Sequence, residues 1–211
     1  MVAALSLALL AAPLTGHAVA RGQAPHQHES HAAQRAEPTL PQGGAPLPSA
    51  SLYALPMRFT AHDGATLEVA SLRGAPVVIA MVYTSCTMTC PIITGEMLAV
   101  QTMLPPAVRA RTTFILASFD PARDNVPRMR AFATRMQLDG QWRVLSGSPA
   151  ATRRLAVLLG VSYRQLPSGD FDHSNLITVL DADGVPRHQE VRIPPDRARL
   201  ARAIVGVATP R

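Results

Sequence analysis

The sequence predicts an α/β fold with a central mixed sheet, flanking helices and an N-terminal hairpin. An unbroken apolar run at residues 77–83 suits a strand that is covered on both faces. Apolar strands then alternate with amphipathic helices. Two alternating segments, 175–180 and 185–191, flank an Asp-Ala-Asp-Gly turn and predict a hairpin. This order of elements indicates a thioredoxin-like sandwich.

Each element follows from a local pattern within residues 52–211, which are predicted to fold as one domain. The N-terminal hairpin is predicted from two short strands around the turn His62-Asp63-Gly64. Helices are predicted where apolar residues recur at helical spacing, and Pro105-Pro106 is expected to end the first of them. The predicted strands are 55–60, 66–69, 77–83, 113–119, 175–180 and 185–191, and the predicted helices are 91–103, 127–136, 149–159 and 195–207.

The composition is that of a globular protein without a nucleic-acid partner. Hydrophobic residues make up 47% of the 211 residues and charged residues 16%, which is enough apolar material for a packed core. The formal net charge is +6, and every basic side chain other than histidine is an arginine. These arginines form no basic stripe with interleaved aromatic residues, so we expect no nucleic-acid binding. The excess positive charge favours binding to an acidic surface of a partner protein.

Residues 1–51 are predicted to lie outside the folded domain. An apolar run at 2–12 followed by Ala-Val-Ala at 18–20 is typical of a secretory signal, so residues 1–20 are interpreted as signal-like, with a buried N-terminal helix as the alternative. We expect an exported, periplasmic protein that is soluble or associated with the membrane through this segment. Residues 21–51 predict a disordered linker. Its His26, His28 and His31 are either solvated or a loose site for Cu or Zn.

The two cysteines, Cys86 and Cys90, indicate chemistry rather than cross-linking. A bridge between them closes almost no loop and would stabilise the fold little. Cys90 is expected at or beside a helix N-cap, with Pro91 at the first helical position. The partial positive charge of a helix N-terminus favours thiolate, so the pKa values of both cysteines are expected to be lowered. Thiolates attack disulfides and bind soft metals, and a pair of inert buried cysteines is the alternative.

Two thiolates do not complete a copper site that must also release its ion, so a third ligand is expected. His173 is the best candidate, because it precedes a predicted strand in a loop that should lie beside the cysteine helix. A surface-loop histidine is the alternative. Its neighbour Asp172 is either the acceptor that orients the ring or a plain loop aspartate. Met88, between the cysteines, is either an exposed thioether or an additional soft contact.

Three segments together resemble the Sco/SenC family of copper-binding, thioredoxin-fold proteins. They are YTSCTMTCP, ASFDPARDNVPRMRAFA and FDHSNLITVLDADG, and the resemblance spans residues 52–191. It implies that Cys86, Cys90 and His173 bind one copper ion. In the DPxxD stretch, Asp120 is expected to tune the site, whereas Asp124 is equally well explained as a helix cap.

The resemblance also implies a role in assembling the binuclear copper site of cytochrome c oxidase. Members of the family act as metallochaperones, as thiol reductants of the target's cysteines, or as both. The expected partner is the copper-site subunit of cytochrome c oxidase or another exported copper or thiol protein. In this sequence Thr87 follows the first cysteine, where the family often has proline.

A thiol–disulfide oxidoreductase is the alternative hypothesis, in which one of Cys86 and Cys90 attacks and the other resolves. Thioredoxin-like oxidoreductases resemble each other in placing a cis-proline before the strand that faces the cysteines. Here the nearest proline upstream of His173 is Pro167, and three residues rather than two separate the cysteines. Copper binding is therefore favoured, although one site could serve both activities.

Overall fold

The computed structural model of the chain describes residues 47–209. The predicted signal-like segment lies outside the described residues, as does the predicted linker up to residue 46 with His26, His28 and His31. Leu47 already packs against the core, ahead of the predicted domain start. In the stretch that the structure describes, no helix is both long enough and apolar enough to cross a bilayer.

The strands of the described residues form a seven-stranded sheet and a separate two-stranded sheet. They are β1 (Arg58–Ala61), β2 (Thr66–Glu68), β3 (Val77–Val82), β4 (Thr113–Ser118), β5 (Trp142–Gly147), β6 (Tyr163–Gln165), β7 (Phe171–His173), β8 (Ile177–Leu180) and β9 (Pro186–Glu190). The large sheet has the order β2-β1-β5-β4-β3-β8-β9, and β6 pairs with β7 alone. The sheet is mixed, because β3 runs parallel to β4 and antiparallel to β8.

Helices flank the large sheet. They are α1 (Thr89–Met103), α2 (Pro106–Arg111), α3 (Val126–Arg135), α4 (Pro149–Leu159) and α5 (Arg197–Ala208), with short 3₁₀ turns at Leu52–Ala54 and Val69–Leu72. α1 and α2 pack against α5, which also contacts β8 and β9, whereas α3 and α4 pack against β5. The predicted thioredoxin-like arrangement, a central mixed sheet with flanking helices and an N-terminal hairpin, is confirmed.

The central strand β3 leads directly to the cysteines. Every one of its residues is buried, because β4 and β8 pair along its two edges and its side chains are apolar at every position. Beside the start of β3 the core is aromatic: Phe114 on β4 pairs with Val78, and its ring stacks on Trp142 at 4.9 Å between centroids. The Trp142 indole N–H, which needs an acceptor when buried, donates to Gln101 at 2.9 Å. The cysteine loop therefore follows a strand that is buried and paired along both edges.

Several elements were not predicted. The pair Pro105-Pro106 was expected only to end a helix, but α2 begins at Pro106. Proline is well tolerated at the first position of a helix. β5 is inserted between β1 and β4, with a partly polar sequence that carries little periodic signal. The strands β6 and β7 have three residues each, which is too short for an alternating pattern to be recognised.

Gly184 allows a close approach between the β8–β9 turn and the N-terminal segment. Its φ is +77°, and a Cβ atom at this position would lie 2.6 Å from the ring of Tyr53. The Leu52 N–H also donates to the Gly184 carbonyl at 3.0 Å. Glycine is thus required here both by its backbone conformation and by the absence of a side chain.

Replacing Gly184 by alanine is expected to lower the free energy of unfolding by about 2–4 kcal/mol, because the new methyl group overlaps Tyr53 at a left-handed φ. Equilibrium urea denaturation measures the loss. Gly95→Ala is the matched control, since an added Cβ there meets nothing within 4 Å. In the interior of α1 that change should be neutral or stabilise by up to about 1 kcal/mol. Equal destabilisation by both variants would contradict this explanation.

Candidate functional site

The two cysteines lie together at the start of α1. Cys86 is in the loop after β3 and is 7% exposed, whereas Cys90 is the second residue of α1 and is 0% exposed. Both are free thiols. The Cys90 backbone N–H donates to Cys86 Sγ, with 3.4 Å between nitrogen and sulfur. The fold therefore brings the two cysteines together, with Cys86 slightly exposed and Cys90 fully buried.

The helix begins slightly earlier than the sequence predicts. Its N-cap is Met88 and its first residue is Thr89, so Cys90 lies within the first turn and Pro91 is the third helical residue. Proline is still tolerated there, because the N–H groups of the first turn have no partner within the helix. Met88 makes no side-chain capping bond. The sulfur of Cys86 accepts one of these unpaired N–H groups in place of a capping oxygen.

The pKa values of the two thiols are shifted in opposite directions. Burial acts to raise the pKa of Cys86, but hydrogen bonds from Cys90, the Met88 backbone and the Tyr83 hydroxyl together lower it below the usual value. Burial raises the pKa of Cys90 well above its usual value, and the neighbouring charges of Cys86 and Asp124 add to this. The expected lowering is therefore found at Cys86 and is wrong for Cys90. Complete burial there outweighs the helix dipole.

Tyr83 contacts both the cysteine loop and the predicted third ligand. It is 5% exposed, and its hydroxyl donates to Asp170 Oδ1 at 3.5 Å and interacts with the Cys86 thiol, whose pKa it helps to lower. Burial and the Cys86 charge raise the pKa of Tyr83 to about 12, so the hydroxyl remains a donor near neutral pH. Its ring meets the His173 ring edge-on at 6.2 Å between centroids. The apolar run of the sequence predicts Tyr83 only as the end of a strand, although a phenol just before a pair of cysteines is a usable signal.

His173 is the last residue of β7 rather than a loop residue. Its ring packs against Phe119 at 4.9 Å, and its Nδ1 lies 3.3 Å from the Ser174 carbonyl oxygen. A carbonyl only accepts, so Nδ1 is the donor in this contact, and in the neutral imidazole the lone pair is then on Nε2. Metal-binding histidines commonly have this arrangement. Asp172 does not orient the ring, because it pairs with Arg164 on β6 at 3.2 Å.

The structure brings the two cysteines together and places His173 against the Tyr83 ring. Within residues 47–209, no three His, Cys, Asp or Glu side chains lie close enough together to hold a metal ion. The adjacent sulfurs of Cys86 and Cys90 are nevertheless a donor set that suits a soft ion such as Cu(I). A third donor would have to come from His173 or from a neighbouring side chain.

Asp124 anchors the cysteine loop to the neighbouring strand. Its carboxylate is 1% exposed and accepts hydrogen bonds from the Thr84 backbone at 3.0 Å, the Thr84 hydroxyl at 2.5 Å and the Ser118 hydroxyl at 2.6 Å. Thr84 lies two residues before Cys86, and Ser118 ends β4. The capping hypothesis for Asp124 is wrong, because the N-cap of α3 is Asn125.

Asp120 acts on the other part of the site through Arg123. It is 3% exposed and forms an ion pair with Arg123, whose guanidinium also donates to the Gly169 carbonyl at 2.6 Å. The same guanidinium lies 5.6 Å from the centre of the Phe171 ring on β7. The DPxxD stretch therefore supports the cysteine loop with one aspartate and the His173 hairpin with the other.

One protein family matches most of the described residues. The SCO1/SenC family model matches residues 47–206. Bradyrhizobium japonicum ScoI with copper bound is 25% identical over 72% of this chain and 98% of that chain, with a TM-score of 0.63. A SCO1/SenC family lipoprotein of Bacillus anthracis is 21% identical over 74% of this chain and 94% of that one, with a TM-score of 0.67.

A third similar structure is BsSco, whose description reports a disulfide switch in a member of the Sco family of cytochrome c oxidase assembly proteins. It is 21% identical over 74% of this chain and 94% of that chain, with a TM-score of 0.65. No curated protein matches the sequence. The family match includes Cys86, Cys90 and His173.

Brief treatment of the reduced, metal-free chain with iodoacetamide is expected to modify Cys86 at least about tenfold faster than Cys90, because the thiolate reacts and Cys86 has both the lowered pKa and the exposed edge. The rate should rise with pH and reach half its maximum at a lower pH than for an unperturbed thiol, because the pKa of Cys86 is lowered. Peptide mass spectrometry locates the label. Cys90 should remain slow in Cys86→Ser, and faster labelling of Cys90 in the unaltered chain would contradict the assignment.

Asp124→Ala is expected to lower the free energy of unfolding by about 3 kcal/mol, since it leaves the Thr84 and Ser118 donors buried without an acceptor. Asp124→Asn should cost only about 1 kcal/mol. Its amide oxygen can accept from the Thr84 N–H and Ser118, and its amide nitrogen can donate to the Thr84 hydroxyl. Urea denaturation of both variants tests this. Equal losses would show that the charge, rather than the hydrogen bonds, stabilises the loop.

Proposed function

The chain belongs to the SCO1/SenC family, and we propose that it binds copper and helps to assemble the copper site of cytochrome c oxidase. The 25% identical ScoI of B. japonicum has been solved with copper bound. In this chain, the observation that carries the proposal is the pair of free, adjacent sulfurs at the start of α1. Paired cysteines that do not cross-link distant segments are explained better by metal or thiol chemistry than by stability.

We infer that Cys86, Cys90 and His173 are the copper ligands. Two thiolates and one imidazole suit Cu(I), and Nε2 is the ring atom of His173 with a free lone pair. The ring must leave its present packing to reach the sulfurs, because the described residues hold no preformed cluster of three ligands. Binding requires Cys90 to lose its proton against a raised pKa, so copper affinity should fall as the pH is lowered.

The copper ion is the cargo in this proposal, and it leaves by ligand exchange onto thiolates of an acceptor. We propose that the acceptor is the copper-site subunit of cytochrome c oxidase or another exported copper or thiol protein. The net charge of +6 favours an acceptor with an acidic surface. The signal-like residues 1–20 support an exported, periplasmic location, soluble or tethered through that segment.

Thiol–disulfide exchange is a second candidate, which the unequal pKa values of the cysteines favour. Cys86, with the lowered pKa and an exposed edge, suits the attacking thiolate, and the buried Cys90 suits the resolving thiol. Attack by Cys86 on a target disulfide forms a mixed disulfide and releases one target thiolate. Cys90 then loses its proton and displaces the second target thiolate. The target gains two electrons as the Cys86–Cys90 disulfide forms.

Anaerobic titration of the reduced full-length chain with Cu(I), against a competing chelator, is expected to give roughly one tightly bound ion per chain. Cys86→Ser should abolish this binding. His173→Ala should weaken it by about tenfold to a hundredfold while leaving disulfide reduction largely intact. Copper retention by the unaltered chain no greater than that of Cys86→Ser would overturn the copper function.

His188→Ala is the matched histidine control. His188 pairs with Val179 in the β8–β9 hairpin, and Val179 in turn pairs with Val78 near the start of β3, whereas the cysteines follow the end of β3. Its replacement should leave the copper affinity unchanged. An equal loss in both histidine variants would argue that His173 acts through the fold rather than as a ligand.

A further inference from the structure

Met88 is an exposed methionine beside the cysteine pair. Its side chain is 76% exposed, whereas Met57, Met81, Met97 and Met129 are at most 3% exposed. It belongs neither to the core cluster nor to the partly buried side chains that pack against it. A thioether usually fills gaps in a core, and an apolar side chain held in water adds no hydrophobic stabilisation. Packing therefore does not explain this residue.

The backbone of Met88 lies beside the sulfur of Cys86. As the N-cap of α1, Met88 lies midway in sequence between Cys86 and Cys90. The Cys90 N–H, two residues further on, donates to the Cys86 sulfur at 3.4 Å, which holds the turn that contains Met88 beside that sulfur. The side chain of Met88 is unbranched and rotates freely, so its sulfur can move over the surface where Cys86 is exposed. Residues 74–95 contain no Asp, Glu, Lys, Arg or His, so no carboxylate or imidazole of this segment competes for a cation there.

We propose that the Met88 thioether is a surface ligand that receives Cu(I) and passes it to the cysteine pair, an inference that rests on the proposed copper function. An ion arriving from solvent or from a donor meets Met88 first, because Cys86 is 7% exposed and Cys90 is 0% exposed. A neutral, polarisable thioether suits Cu(I) and binds it more weakly than a thiolate, which allows the ion to move on.

The transfer is a ligand exchange without oxidation or reduction. The bond between copper and the Met88 thioether breaks as a bond to the Cys86 sulfur forms, and the Cys90 sulfur joins next. Copper remains Cu(I) throughout. Each thiol that becomes a ligand gives up one proton to solvent.

An experiment can distinguish copper binding by Met88 from a purely apolar contact with a partner protein. Ile92, one helical turn further on, is 51% exposed, so the two side chains could together form an apolar contact for a partner protein. Leucine keeps the size and apolar character of methionine but lacks the sulfur. Met88→Leu therefore removes the proposed ligand and retains the apolar surface.

The test uses the reduced full-length chain with its methionine methyl groups labelled with ¹³C. On addition of Cu(I) up to one equivalent, the Met88 methyl resonance, identified by its absence in Met88→Leu, should shift. The Met103 methyl is the matched control, because Met103 is 50% exposed at the far end of α1 and should not shift. In stopped-flow measurements, Met88→Leu should take Cu(I) from a weak chelator about tenfold more slowly and reach the same final stoichiometry.

The outcomes distinguish this proposal from the function on which it rests. Copper binding with an unmoved Met88 methyl and an unchanged uptake rate in Met88→Leu overturns the relay and leaves the copper function standing. Absence of copper binding by the unaltered chain overturns both. If Met103→Leu slows copper uptake as much as Met88→Leu does, the effect comes from exposed methionines in general. That result also overturns the proposed transfer through Met88.

Discussion

The hydrogen bonds of one buried carboxylate hold the cysteine loop in place. Asp124 accepts from both polar groups of Thr84 and from Ser118, and these donors end the two central parallel strands. Residues 74–95 contain no Asp, Glu, Lys, Arg or His, so the cysteine loop has no ion pair of its own to hold it. Because a buried acceptor is costly to leave unpaired, this contact determines where Cys86 leaves the sheet.

The main features of the fold and the choice of cysteines could be predicted from the sequence, because they depend on local patterns. The all-apolar run before Tyr83 and the short spacing of the cysteines needed no distant partner to be recognised. The hydrogen bonds between Asp124 and Thr84 could not be predicted, because these residues are 40 positions apart in the sequence and only the folded chain brings them together. The sign of the Cys90 pKa shift was missed for the same reason: helix position is visible in sequence, whereas complete burial is a tertiary property.

The two thiols have different environments although they are only four residues apart in the sequence. Cys86 receives hydrogen bonds from backbone, thiol and phenol groups, which stabilise its negative charge. Cys90 is held as a protonated thiol by burial and by the nearby carboxylate of Asp124. A metal that binds both sulfurs supplies the positive charge that the inner one lacks, so ligand binding and the ionisation of Cys90 are coupled.

The imidazole and the sulfurs are carried by separate sheets. His173 ends a two-stranded ribbon that forms no strand pairs with the seven-stranded sheet, and aromatic packing with Phe119 together with the Arg123 contacts holds this ribbon in place. The ribbon can consequently tilt without breaking any ladder hydrogen bond of the sheet that supports the cysteines. The domain thus carries the sulfurs on one sheet and the imidazole on another, and side-chain packing rather than strand pairing joins the two.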